Sequence, residues 1–240
     1  MVKMNKEELV EELKKIEIEI NENQQKQLDV YADFLIKYNE HTNLTAIKEK
    51  KEIYLKHFYD SLVLNPYIKP KQRILDIGTG AGFPGCVLAL LNPETHFILL
   101  DSNNKKIKFL EELVKKLDLK NVELIHARAE VYVKNNLETF DLVTSRAVAD
   151  LRILSELSLP ALKIGGLFLP LKANITTELE NSKETIEILG GQIESIEKYL
   201  LPVEMSQRTI LIIKHKEKTP LTYPRSYDKI LKKTLKNNSK

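Results

Sequence analysis

The residues able to do chemistry stand at the ends of apolar runs. Asp76-Ile77-Gly78-Thr79-Gly80-Ala81-Gly82-Phe83-Pro84-Gly85 follows the apolar Ile74-Leu75 and opens into Cys86-Val87-Leu88-Ala89-Leu90-Leu91. A strand that enters a glycine turn and then a helix brings bare backbone amides and the positive end of the helix dipole up to a ligand. Asp101 ends a second apolar run, His96-Phe97-Ile98-Leu99-Leu100. About 20 positions past the turn is where an acidic side chain grips a ribose diol in nucleotide-binding α/β folds. Asp101-Ser102-Asn103 would also cap the next helix. Arg146 closes a third apolar run, Phe140-Asp141-Leu142-Val143-Thr144-Ser145, and His57, Asp60 and Ser61 cluster on one predicted helix.

Two ligand classes compete for the turn. Gly80 to Gly85 is formally G-x-G-x-x-G, the dinucleotide pattern, and Asp76 to Gly82 is D-x-G-x-G-x-G, the loop that holds S-adenosylmethionine in methyltransferases. The second frame fits better, because its glycines follow the strand at once. Asp76 at the strand end would attract a cationic, amine-bearing ligand and repel a pyrophosphate. Pro84 suits the first helical turn.

The Asp76–Gly85 block resembles the bacterial 16S ribosomal RNA guanine-N7 methyltransferases, also called glucose-inhibited division protein B. So do Asn43-Leu44-Thr45-Ala46-Ile47, His57-Phe58-Tyr59-Asp60-Ser61-Leu62, Ala127-Arg128-Ala129-Glu130 and Thr144-Ser145-Arg146-Ala147-Val148-Ala149, in that family's order. The resemblance implies a Rossmann-like α/β fold: the seven-stranded S-adenosylmethionine methyltransferase sheet with an N-terminal helical extension. It implies S-adenosylmethionine as cofactor and 16S ribosomal RNA or the small ribosomal subunit as partner. On the cofactor side it points to Gly78, Gly80, Phe83, Asp101, Ser102, Asn103, Ala129, Glu130 and Arg146, with Arg146 the catalytic candidate. On the RNA side it points to Asn43, Thr45, His57, Asp60, Ser61 and Arg225, and Lys172, at the end of the fifth strand, and Arg208 are further basic candidates for RNA contact. Tyr223-Pro224-Arg225 matches the family's end, whereas Ser226 to Leu235 departs from it and reads as an added basic amphipathic helix.

Elimination points the same way. Exocyclic-amine methylation usually uses Asn or Asp followed by Pro-Pro and an aromatic residue at the fourth strand's end, where this chain has Ser145-Arg146-Ala147. Pyrimidine C5 methylation needs a nucleophilic cysteine, and the single cysteine, Cys86, reads as a buried residue behind the glycine turn. Guanine N7 attacks with a free lone pair and needs neither group, so catalysis reduces to proximity and orientation. His57, Asp60 and Ser61 do not make a hydrolase triad, whose members come from distant segments. A role shaping the acceptor side of the pocket suits them.

The elements that must position these residues follow from periodicity. Leu9, Leu13 and Ile16, then Leu28, Tyr31, Ala32, Leu35, Ile36 and Tyr38, mark helices, and a further helix is expected over residues 50–64. Strands then alternate with helices, as in a mainly parallel sheet: Val122–His126, Phe140–Ser145, Leu167–Lys172, Gln192–Tyr199 and Thr209–Ile213 follow the first two strands. The helix from Leu151 is expected to run to Leu162 and to be closed by Gly165-Gly166. Residues 1–66 form the helical extension, 67–216 the cofactor-binding domain and 217–240 a basic tail.

Net charge is only +3, from 37 Lys and Arg against 34 Asp and Glu. The chain from Lys214 onward is nonetheless basic, as a phosphate-holding segment would be. One cysteine rules out an internal disulfide and a cysteine zinc site, and no metal is expected. No apolar run spans a bilayer and the N-terminus lacks a signal-peptide core, so a cytoplasmic protein, acting as a monomer, is expected. An NAD(P)-dependent oxidoreductase and a non-catalytic RNA-binding module remain as alternatives.

Overall fold

In the computed structural model, which describes residues 4–146, 148–173 and 175–232, the chain begins with α1 (Lys6–Lys15) and α2 (Glu22–Thr42). Each starts with a capping box, Asn5 with Glu8 and Asn21 with Gln24, in which side chain and backbone satisfy each other's free amides. α2 buries Leu28, Tyr31, Ala32 and Leu35, as their spacing requires, and stops at Asn43, which takes a left-handed φ of 51°. The helix expected over residues 50–64 is a continuous run of α3 (Lys50–Ile53), a π-helical turn (Tyr54–Tyr59) and α4 (Asp60–Leu62). The wider turn carries His57, and such π segments recur at functional sites.

The α/β part follows as β1 (Arg73–Ile77), α5 (Gly85–Leu91), β2 (His96–Asp101), α6 (Asn104–Lys116), β3 (Val122–His126), α7 (Ala129–Lys134) and β4 (Phe140–Arg146). It continues through α8 (Leu151–Ser158), β5 (Leu162–Lys172), α9 (Thr176–Ile188), β6 (Gly191–Leu200), β7 (Gln207–His215) and α10 (Tyr227–Lys232). The seven strands lie in the order β3-β2-β1-β4-β5-β7-β6. β1 to β5 are parallel, and β7 runs antiparallel to both β5 and β6. Strand order reverses between β1 and β4, so the crevice outside their carboxyl ends is where a ligand binds in such sheets.

Alternation along the strands splits the core in two. Ile74, Phe97, Leu99 and Leu142 pack with α1, α2, the π-containing run, α5 and α6 on one face. Leu75, Ile98, Leu100 and Val143 pack with α7 to α10 on the other. The N-terminal helices therefore share one core with the sheet. No described helix is long and apolar enough to cross a membrane.

One local expectation is corrected. Gly165-Gly166 does not close the helix from Leu151, which ends at Ser158 and passes through a 3-10 turn holding Pro160. The glycines lie inside β5. There the pairing with β4 steps from Phe140 opposite Leu162 to Leu142 opposite Leu167, and Gly165 absorbs the bulge with a φ of 86°.

Candidate cofactor and acceptor site

A cavity of about 400 Å³ opens at the carboxyl ends of β1, β2 and β4. Its floor is the glycine turn, where Gly78, Gly80 and Gly82 take φ of 70°, 63° and 96°. The glycines serve different ends. A Cβ on Gly78 would overlap the Val148 side chain; on Gly82 it would meet Tyr31, Cys86 and Leu110; on Gly85 it would meet Leu99 and Asp76. Gly80 alone of the four opens onto space, with the nearest atoms, Gly78 O and Lys106 Nζ, at 3.9 and 4.0 Å. Protein packing sets the need for the other glycines, and Gly80 is the one that leaves room for a ligand.

Asp101 is 5% exposed but lines the cavity. Its Oδ2 accepts from Gly80 N at 2.9 Å and its Oδ1 from Asn103 N at 2.8 Å, with Lys106 Nζ 3.5 Å from Oδ2. Oδ1 keeps a further lone pair for a ribose hydroxyl, and a second hydroxyl of a diol would take the place of the Lys106 contact on Oδ2. Beyond it the wall continues through Ser102 and the end of β3, with Ala127, Arg128, Ala129 and Glu130.

Asp76 departs from expectation. It is fully buried beneath the turn, away from the lining, and its Oδ2 accepts from Gly85 N at 2.9 Å. Burial pushes its carboxyl up to about 6, against the pull of Thr79, the Gly85 amide and Arg146. Asp76 thus holds the start of α5 from below and is absent from the cavity wall. Pro84 correspondingly precedes α5, which starts at Gly85.

The opposite end of the cavity is built around Arg146. Its Nη1 donates to Lys56 O at 2.8 Å and to Asp60 Oδ2 at 3.0 Å, and its Nη2 donates to His57 Nδ1 at 2.9 Å. Since arginine only donates, His57 Nδ1 must accept and its proton sits on Nε2, which faces Thr45 Oγ1 at 3.1 Å. Burial, then Arg146, lowers the His57 pKa to about 3, so the ring is neutral. Asp60 Oδ1 accepts from Tyr199 at 2.7 Å and lies 3.8 Å from Arg208 Nε. Phe83 is sandwiched between Tyr31 and His57, with ring centroids at 5.3 and 4.2 Å, and Arg146 stands 5.2 Å from the same ring. Tyr31 donates from its hydroxyl to Ala81 O, so α2 grips the glycine turn directly.

Thr45, His57, Gly78, Gly80, Phe83, Asp101, Ser102, Ala129, Glu130 and Arg146 therefore line one cavity. Seven residues singled out in the sequence lie off its wall. Asn43 is an exposed helix cap, and Asn103 caps α6 by accepting from Lys105 N. Ser61 is buried and donates to His57 O. Asp60 and Arg208 stand behind Arg146. Lys172 is spent on Ala149 O and Glu178. Arg225 clamps the buried Glu156 through Nε and Nη2, an ion pair that anchors the chain end away from the cavity wall. In the described part of the basic segment from Lys214 onward, Lys214 and Lys216 pair with Glu194, and Ile230 of α10 is fully buried. Lys233, Lys236 and Lys240 lie outside the described residues. Cys86 is buried and its thiol is pushed up to about 12 by burial, which removes it as a nucleophile.

Sequence reasoning missed Asn39, whose amide holds Thr45 by both backbone groups, as well as Val148, Tyr199 and Tyr227. Asn39 at a buried position of an amphipathic helix was the one available signal.

The family described as "GidB: rRNA small subunit methyltransferase G" matches residues 24–235. The chain belongs to this family. Curated members named ribosomal RNA small subunit methyltransferase G are 44% identical in Bacillus subtilis and 43% in Bacillus licheniformis, each over 92% of this chain and 95% of the relative. Among solved structures, NSun6 from Pyrococcus horikoshii with SFG aligns with a TM-score of 0.55 at 16% identity, covering 66% of this chain and 52% of that one. M. jannaschii TYW2 in complex with AdoMet aligns at 0.51 and 16%, covering 65% and 73%. At such identities the likeness establishes the fold. In this member of the methyltransferase G family, the two ends of the cavity are thus a glycine–Asp101 end and an Arg146–His57 end.

Proposed function

We propose that this chain transfers the methyl group of S-adenosylmethionine to N7 of a guanine in 16S ribosomal RNA of the small subunit, in the cavity between Asp101 and Arg146. The observation that carries the reading is this pairing: a turn with room at Gly80 and a hydroxyl-accepting Asp101 at one end, and an oriented guanidinium at the other. Gly80, Asp101, Ser102, Ala129 and Glu130 would hold the cofactor. Once bound, it supplies an electrophilic methyl group on a sulfonium.

The remaining steps belong to the protein. Arg146 spends three of its five N–H donors on Lys56, Asp60 and His57 among the described residues, leaving two for a guanine O6 or a phosphate. Because Asp60 is itself held by Tyr199, the guanidinium is fixed before substrate arrives, and catalysis is positioning. The neutral His57 and the Thr45 hydroxyl offer no base of useful strength, and N7 requires none. The N-terminal helical extension contributes Leu44, Thr45 and His57 to the acceptor side, and the protein would act as a monomer on ribosomal subunits in the cytoplasm.

A nicotinamide dinucleotide is disfavoured because the α5 start, where a pyrophosphate would sit, is filled by the Asp76 carboxylate. Mass mapping of methylated nucleosides in 16S ribosomal RNA from cells with and without the protein tests the proposal. Loss of a single 7-methylguanosine is expected, and an unchanged map would refute it and leave the RNA-binding module.

A further inference from the structure

We propose that Tyr227, carried by α10, is a cofactor-binding residue, and that the docked C-terminal segment completes the pocket for the adenosyl purine. The inference rests on reading the cavity as the S-adenosylmethionine site. Tyr227 is half-buried and lines the cavity together with Ala127, Ala129 and Leu157, all of which belong to or pack against the same core cluster on the α7–α10 face of the sheet. The Arg128 guanidinium stands 4.5 Å over its ring, and Arg128 Nε lies 3.3 Å from Glu130 Oε1. An aromatic ring and a planar cation beside small side chains form a surface suited to a flat, electron-rich heterocycle.

The placement of Tyr227 is enforced. Glu156 on α8 has a side chain only 1% exposed, and it accepts from Arg225 N, Nε and Nη2 at 2.9, 2.8 and 2.6 Å. A carboxylate buried this deeply is costly without a counter-charge, so α8 demands that Arg225 dock. Two residues on, Tyr227 begins α10, whose Ile230 is buried in the core and whose Ile230 carbonyl accepts from Arg152 Nη1 at 2.8 Å. Leu157, next to Glu156, lines the same cavity. The pocket wall and the anchor of the chain end are therefore adjacent residues of one helix. Because docking shapes the wall, docking and cofactor binding must favour each other reciprocally.

Calorimetric titration with S-adenosylhomocysteine tests this, using the full chain as wild type, Tyr227→Phe, Tyr227→Ala and Asp101→Ala. Tyr227→Ala is expected to raise Kd about tenfold and Tyr227→Phe about twofold or less, with unliganded melting temperatures of the two Tyr227 variants alike. Wild type that fails to bind would overturn the cofactor reading itself. Wild-type binding lost in Asp101→Ala with Kd unchanged in Tyr227→Ala would overturn only the role of Tyr227. Should Tyr227→Ala not fold, trypsin cleavage of the wild type after the exposed Lys229 decides: saturating S-adenosylhomocysteine should slow it severalfold, and equal rates would refute the linkage.

Discussion

His57 should destabilise the fold on acidification, because it stays neutral in the folded chain while the unfolded chain takes up a proton. Its pKa is about 3 in the folded chain against 6.5 when unfolded, so the unfolded state binds the extra proton first. Stability from this group is complete above 6.5 and lost as pH falls toward 3. Between pH 7.5 and 5.0 the loss is about 2 kcal/mol, at about 1.36 kcal/mol per unit. Asp76 tilts the other way. Its pKa is raised from 3.8 to about 6, so its contribution is present below 3.8 and lost as pH rises through 6, and the same acidification returns about 1.5 kcal/mol. A wild-type stability curve alone would look nearly flat. The difference between wild type and His57→Gln isolates the imidazole, because Asp76 titrates in both. Urea unfolding at the two pH values should show the wild-type advantage shrinking by about 2 kcal/mol on acidification. An advantage constant within about 0.5 kcal/mol, the usual additivity error, would refute the assignment of His57 as a buried neutral acceptor for Arg146.

Other outcomes are equally specific. Gly80→Val should abolish S-adenosylhomocysteine binding with only local backbone strain, whereas Gly78→Ala should chiefly lower the melting temperature, because its Cβ meets Val148 and not ligand. Arg146→Ala should remove single-turnover methylation and cost about 3 kcal/mol of stability in urea, since Asp60 loses its buried partner; full turnover would make Arg146 purely structural. Asp101→Ala should weaken cofactor binding by about 1.5–3 kcal/mol by calorimetry, the worth of hydrogen bonds to a charged group. Deleting residues 233–240 should flatten the salt dependence of RNA binding by about 0.7–0.9 in slope for each phosphate the deleted lysines neutralise, read by filter binding, and leave cofactor affinity unchanged.

What the sequence made legible was whatever follows from local pattern. Strand ends, the glycine turn, Asp101 and Arg146 announce themselves because a sheet places the carboxyl ends of its strands together, and the apolar stripe of α2 follows from the helical repeat. What stayed hidden depends on long-range partners. Nothing in Asp76 says that its carboxylate turns under the loop to Gly85, nor does a helical tyrosine at position 31 declare that its hydroxyl reaches Ala81. Arg225 matched a family pattern and so read as an RNA contact, because Glu156, which claims it, lies 69 positions away. Gly165-Gly166 misled for the opposite reason: a glycine pair breaks helices locally, and only the pairing of β5 with β4 reveals a bulge.

The cavity draws walls from Leu44 near one end of the chain and Tyr227 near the other. During synthesis the helices and the first strands leave the ribosome early and have partners to fold with, since domains assemble from the N-terminal side. The Arg225–Glu156 clamp closes only after β7 has been made. The part of the cavity wall that Tyr227 supplies is consequently put in place only after the whole sheet has been made, so the pocket is completed later than the fold that surrounds it.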